Sequence, residues 1–275
     1  MAMSATSEYV MGHDERERRR LALQASILNP FTEHLLRRAG ISAGMRVLDI
    51  GCGVGDVSLL AARIVGRSGR ITSLDFDARA LEKLQERACA EMLSNIECVE
   101  GNVHDWDSGA RFDAVIGRHI LIHSKDPLQV LRQSAGMLQP RGLAVFHEYD
   151  FSVMHRAWPP APVRDRTMEV FDRFFERTCF SNMGSRLWTL LVEAGFDNPD
   201  CRAEYPIDGG PESVYFEWFA ESLRSILPRA IALGIVSERE IDIDTLEERL
   251  RAENAATKSG LPAPTMIGAF ARLKG

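Results

Sequence analysis

The 275-residue chain is 45% hydrophobic, with a formal net charge of −6 and five cysteines. That charge disfavours general binding to nucleic-acid backbones, which takes positive patches, and an odd cysteine count without a Cys-x-x-Cys pair suggests neither a disulfide framework nor a thiolate zinc site. No apolar run approaches the roughly 18 to 20 residues of a membrane span and no signal-peptide core is visible, so a cytoplasmic protein without membrane partners is expected.

Near the N-terminus, DERERRR (14–20) reads as a solvated helix face. Leu21, Leu23, Ile27 and Leu28 follow, and Asn29-Pro30 is expected to break the pattern before a further helix over Thr32 to Ala39. Next comes VLDIGCGVGDVS (47–58), an apolar run ending in Asp49 and then Gly51, Gly53 and Gly55 at alternate positions. A buried parallel strand that must turn sharply beneath a ligand needs this arrangement, since glycine permits positive φ and close approach to bare backbone. The spacing is Gly-x-Gly-x-Gly, not the Gly-x-Gly-x-x-Gly of the dinucleotide fingerprint, which speaks against an NAD-dependent oxidoreductase. Cys52, inside the loop, reads as a small residue in a tight turn.

Asp56 to Val65 is a predicted helix, and ITSLD a second strand ending at Asp75, 24 residues after Gly51. An acid about 20 positions past a glycine turn, at the tip of the second strand, is placed to accept from ribose hydroxyls; the competing reading is a helix N-cap, because a helical pattern begins at Asp77 and Ala78. A helix over Ala78 to Leu93, strands IECVE and AVIG, a helix over Asp126 to Leu138, and a strand LAVFHEY after a Pro-Arg-Gly turn continue the alternation. Alternation of this kind implies a parallel, doubly wound sheet, whose ligands bind past the carboxyl ends of the strands.

Residues 151 to 219 hold 13 of the 21 aromatics. Met168, Phe171, Phe175 and Cys179 form a stripe expected to pack a helix onto the sheet, while aromatics facing a cleft would build a mostly apolar pocket. CRAEYPI and TMIGAFARLK read as the sixth and seventh strands, with helical patterns over Pro211 to Gly234 and Ile243 to Lys258 between them. No cluster of acids and histidines has metal-ligand spacing, so no metal is expected.

VLDIGCGVGDVS, the strand-end acid in LDFD, ECVEGNVHDW, FDAVIGRHILIH and LQPRGLAVFHEYD occur in the order found in the class I S-adenosylmethionine-dependent methyltransferases, which the chain resembles over Met45 to Asp150. The resemblance implies an α/β fold: a doubly wound, mostly parallel seven-stranded Rossmann-like sheet whose last strand runs antiparallel beside the fifth. It also implies an N-terminal helical lid (1–40), a cofactor-binding core (41–150) and a remainder (151–275) carrying the rest of the sheet and a helical substrate cap. Gly51, Gly53 and Gly55 would then lie against the methionine and ribose of S-adenosylmethionine, with Asp49 orienting the loop from beneath, and Asp75 and Phe76 at the second strand end. Asn102 and Val103 would occupy the adenine turn, where many relatives carry an acid at the Asn102 position, and Arg118 the amino-acid end. Tyr9 and Gln24 are candidate lid contacts. His119, His123, His147 and Glu148, with Asp150, are candidates for substrate contact or proton removal.

The implied activity is methyl transfer to a small, largely apolar acceptor, oxygen-directed and in secondary metabolism; assembly as a homodimer is left open. The alternative is a protein of this fold that binds S-adenosylmethionine but has lost methyl transfer or replaced it by another reaction.

Overall fold

The computed structural model describes residues 15–106, 109–153, 155–237 and 239–275. Tyr9 lies outside the described residues. The chain divides into two units. One comprises Leu28–Val153, Thr178–Tyr205 and Pro264–Gly275; the other comprises, among the described residues, 15–27, 155–177 and 206–263. Both are discontinuous in sequence, and in the first the last strand returns to the sheet between the fifth and sixth.

The first unit is built on seven strands: β1 (Arg46–Ile50), β2 (Arg70–Asp75), β3 (Ile96–Glu100), β4 (Phe112–Arg118), β5 (Leu138–Asp150), β6 (Phe196–Glu204) and β7 (Thr265–Leu273), in the order β3-β2-β1-β4-β5-β7-β6. The first five pair in parallel, and β7 runs antiparallel to both β5 and β6. Val47, Leu48 and Ile50 of β1 are 0% exposed, as a central strand covered on both faces requires. One core cluster joins Val47, Ile71, Ala114, Ile116 and Val145 to Leu60, Ala61 and Val65 of α2 (Asp56–Val65) and to Leu35 and Leu36. Another gathers Cys52 and Leu59 with Leu81, Leu84 and Ala88 of α3 (Ala78–Ala90). α4 (Pro127–Met137) links β4 to β5, and α6 (Met183–Glu193) precedes β6.

Several local expectations change. Asn29-Pro30 does not interrupt the first helix: α1 runs unbroken from Glu15 to Ala39 with Pro30 inside it. An internal proline costs roughly 3 kcal/mol, and burying Leu28, Leu35 and Leu36 offsets this at about 1.5 to 3 kcal/mol per side chain. Nor is DERERRR uniformly solvated. Arg16 and Arg19 are exposed, but Glu17 and Arg20, one turn apart, are buried as an ion pair at 2.6 Å. The Pro-Arg-Gly turn lies inside β5, which begins at Leu138 and accommodates the turn by a register shift against β4, with Arg141 at φ +61°. β6 begins at Phe196 rather than Cys201 and stops before Pro206, which has no amide to donate to the sheet.

The second unit carries α5 (Pro162–Thr178) up to Arg177, α7 (Tyr215–Ala232), α8 (Leu246–Thr257) and a two-residue pairing of Ile207–Asp208 with Leu261–Pro262. Of the expected stripe, Met168, Phe171 and Phe175 lie in this unit and Cys179 in the first. There Arg164 stands 5.8 Å over the Phe219 ring, joining α5 to α7.

Candidate cofactor site

The glycine loop opens at the carboxyl end of β1. Gly51, Gly53 and Gly55 all adopt positive φ, at +63°, +53° and +86°, which side chains other than glycine enter at a cost. Their surroundings separate them. A Cβ on Gly51 would fall 2.5 Å from Ile120 Cδ1 and one on Gly55 2.1 Å from Leu84 Cδ1, whereas one on Gly53 meets nothing within 4 Å. The outer glycines admit protein side chains; the central one faces open space, as a ligand cradle requires.

Two carboxylates support the loop. Asp49 is buried, accepts from Ser58 Oγ at 2.6 Å, and Ser58 in turn contacts Ser73 Oγ at 2.7 Å. Burial pushes the Asp49 carboxyl up to about 7, against the pull of the Ser58 hydroxyl. Asp75 accepts the Gly53 amide at 2.8 Å on Oδ2 and the Asp77 amide at 2.9 Å on Oδ1. The competing helix-cap role falls to Asp77, whose side chain accepts from the Arg79 amide at 3.0 Å. Phe76, beside Asp75, is 56% exposed. Cys52 is buried and burial drives its thiol up, which keeps it protonated and unreactive.

At the end of β3, Val103 is buried and Asn102 Oδ1 accepts the His104 amide at 3.0 Å. The oxygen expected to receive the adenine amino group is thus engaged in a local turn.

The segment after β4 is more committed than the sequence suggests. Arg118 donates through Nη1 to Asn29 Oδ1 at 2.9 Å and Thr32 Oγ1 at 3.0 Å, with Nη2 3.7 Å from Asp56. Thr32 also contacts His147 Nδ1 at 3.0 Å and donates to the Leu28 carbonyl at 3.1 Å. The Thr32 oxygen thus lies within hydrogen-bond distance of Arg118, His147 and the Leu28 carbonyl at once. Burial, aided by Arg118, lowers His147 to about 3, and burial alone lowers His123 to about 4, so both rings are neutral at physiological pH. His119 adopts φ +56°, stacks on Tyr149 with centroids 4.2 Å apart and places Nε2 3.3 Å from Met266 Sδ.

Glu148 is fully enclosed and receives three backbone amides, from Ile120, Leu121 and Ile122. Burial pushes its carboxyl up to about 8 although those amides favour the ionised form. Asp150 is likewise occupied, accepting the Ser152 amide at 3.1 Å and the Ser185 amide at 2.6 Å. Gln24 belongs to the second unit, where its Oε1 accepts from Arg20 at 2.9 Å. Sequence reading missed Ile120, Leu84, Asn29, Thr32 and Asp56. Only Asp56, in the first turn of the helix leaving the loop, carries a local signal.

A positive-φ loop open at Gly53, flanked by a strand-end carboxylate and an exposed aromatic ring, suits a nucleoside-containing cofactor. Residues 41–195 match the family described as "Methyltransferase domain". The chain is 30% identical over 173 residues to the demethylmenaquinone methyltransferase of Lactococcus lactis, covering 61% of this chain and 65% of that protein. It is 28% identical over 191 residues to the chloroplastic 2-phytyl-1,4-beta-naphthoquinone methyltransferase of Arabidopsis thaliana, covering 62% and 70%. The alignments span 44 to 65% of the length of the first curated relatives. Among solved structures, the YcgJ protein of Bacillus subtilis shares the fold with a TM-score of 0.58 at 17% identity, covering 89% of this chain and 99% of that one. The chain belongs to the class I S-adenosylmethionine-dependent methyltransferases.

Proposed function

We propose that this protein transfers a methyl group from S-adenosylmethionine to a small, largely apolar acceptor. The observation that carries the reading is the open face of Gly53 beside Asp75. There, Gly53 would offer bare backbone to the cofactor, Asp75 would accept from the ribose hydroxyls, Phe76 would cover the base, and Asn102 and Val103 would border it. The cofactor supplies a methyl already activated on a sulfonium, so what the protein must provide is chiefly alignment, which can supply about 7 to 11 kcal/mol. A positioned base adds about 10²- to 10⁴-fold by comparison. That division agrees with the state of the candidate bases, since Glu148 and Asp150 are engaged by backbone amides and His147 by Thr32.

An apolar acceptor is supported by the aromatic-rich 151–219 region and by the demethylmenaquinone and 2-phytyl-1,4-beta-naphthoquinone in the names of the two curated relatives. Our reading is oxygen-directed methylation of a phenolic or quinol substrate in secondary metabolism, in the cytoplasm, without nucleic-acid or membrane partners. The net charge of −6 supports the lack of a nucleic-acid partner. The test is calorimetry with S-adenosylmethionine and S-adenosylhomocysteine, followed by transfer of labelled methyl to a panel of phenols and naphthoquinols. Micromolar binding with labelled product is expected. Binding without product from any acceptor favours the replaced-reaction alternative, and no binding ends both readings.

A further inference from the structure

The three amides held by Glu148 are consecutive: Oε1 accepts from Ile120 at 3.0 Å and Leu121 at 2.9 Å, and Oε2 from Ile122 at 3.2 Å. A carboxylate at the end of β5 thereby ties down the segment leaving the neighbouring strand β4. The segment enters this clamp through His119, whose amide donates to the His147 carbonyl at 3.1 Å and whose φ of +56° persists only where the surroundings impose it. The first residue held, Ile120, reaches into the glycine loop. A Cβ on Gly51 would meet its Cδ1 at 2.5 Å and its Cγ1 at 3.1 Å, and one on Gly117 would meet its Cγ2 at 2.8 Å. Ile120 therefore fills the space that two glycines leave, on a side of the loop other than the open face of Gly53.

The geometry points to Glu148 as a positioning residue for the cofactor site: by clamping residues 120–122 it seats Ile120 against Gly51 and sets the height of the loop on which S-adenosylmethionine rests. This assignment rests on the loop being the cofactor site. It replaces the role of proton acceptor for Glu148, because both of its oxygens are already turned to three backbone amides and neither faces an acceptor. It also explains why a carboxylate, and not an amide, stands there. Glutamine offers one acceptor oxygen and an NH2 group, so one of the three backbone N–H groups would face another donor.

The experiment pairs hydrogen exchange of the ligand-free protein, followed in peptides covering 50–55 and 117–123, with calorimetric titration of S-adenosylhomocysteine, for wild type, Glu148→Gln, Ile120→Ala and the double variant. Exchange should quicken in both segments of Glu148→Gln, and affinity should fall about 10-fold in each single variant. The double variant should lose no more than the weaker-binding single, because both changes act through one contact. Quickening confined to 117–123, unchanged affinity in Glu148→Gln, or additive losses in the double variant would overturn the proposal. If wild type does not bind S-adenosylhomocysteine, the cofactor reading falls, while the exchange data still decide whether the clamp reaches the glycine loop. Should Glu148→Gln fail to fold, Ile120→Val carries the decision: its removal of one methyl should quicken exchange in 50–55 and weaken binding, and wild-type values for both would refute the contact.

Discussion

The Asp75 carboxylate divides its oxygens between two backbone amides, taking Gly53 N–H on Oδ2 and Asp77 N–H on Oδ1. One strand-end acid thus holds the middle of the glycine loop on one side and the chain entering α3 on the other. Burial raises its carboxyl, against the pull of both amides toward the ionised form.

Asp75→Ala removes this acceptor and leaves the Gly53 amide without its partner. Hydrogen bonds to a charged group contribute about 1.5 to 3 kcal/mol, so S-adenosylhomocysteine should bind roughly 10- to 100-fold more weakly by calorimetry. Affinity equal to wild type would refute the ribose role.

Gly53 and Gly55 should respond differently to alanine. At Gly55 the new Cβ would lie 2.1 Å from Leu84 at φ +86°, combining overpacking with backbone strain, and a loss of about 2 to 5 kcal/mol is expected in denaturant unfolding. At Gly53 the space is open, so only the strain of about 1 kcal/mol acts on folding. The methyl would instead occupy the cradle, and cofactor affinity should drop while the fold survives. Equal effects on both properties at both positions would contradict the distinction.

In the second unit, Arg20 donates to Glu17 at 2.6 and 2.9 Å, and Ser225 Oγ donates to Glu17 at 3.1 Å. Both charges are buried, so Glu17→Ala removes the bidentate carboxylate from a buried guanidinium and should cost about 3 to 5 kcal/mol. Replacing the pair together with Glu17→Leu and Arg20→Met should cost far less. A double variant as unstable as Glu17→Ala would show that the pair contributes more than mutual neutralisation.

His147, lowered to about 3 in the folded protein, binds a proton near 6.5 once unfolded. Its folded value is depressed, so acid favours unfolding: its contribution is present above about 6.5 and is lost as pH falls toward 3, at about 1.4 kcal/mol per pH unit. Asp49 and Glu148, raised to about 7 and 8, act oppositely over part of this window, so total stability is a poor readout. The stability difference between wild type and His147→Asn isolates the histidine. That difference should shrink by about 1.4 kcal/mol per unit from pH 6.5 to 4.5, and a constant difference would mean the ring is protonated when folded.

The family and the cofactor were legible in local sequence because the features that specify them are local. VLDIGCGVGDVS must leave a central strand and turn at once, which alternating glycines allow without strain at these three positive φ values. α2, which follows the loop, runs over Asp56–Val65 as its apolar spacing predicts, and β3 over Ile96–Glu100. The antiparallel final strand is found where the resemblance placed it.

What only the tertiary structure decided are relations between residues far apart in the chain. Pro30 reads as a break, yet α1 continues through it because buried leucines outweigh one missing amide bond. Glu148 and His147 read as candidate bases at a strand end, but Glu148 is occupied by a loop 26 to 28 residues earlier and His147 by Thr32, 115 residues earlier. Hydrogen-bond capacity is a property of the residue, whereas its expenditure depends on which partners the fold brings within 3 Å. The same holds for the glycines. Their spacing names the turn, and only the packing of Ile120 and Leu84 shows that two of them admit protein side chains while Gly53 alone is left open to the ligand.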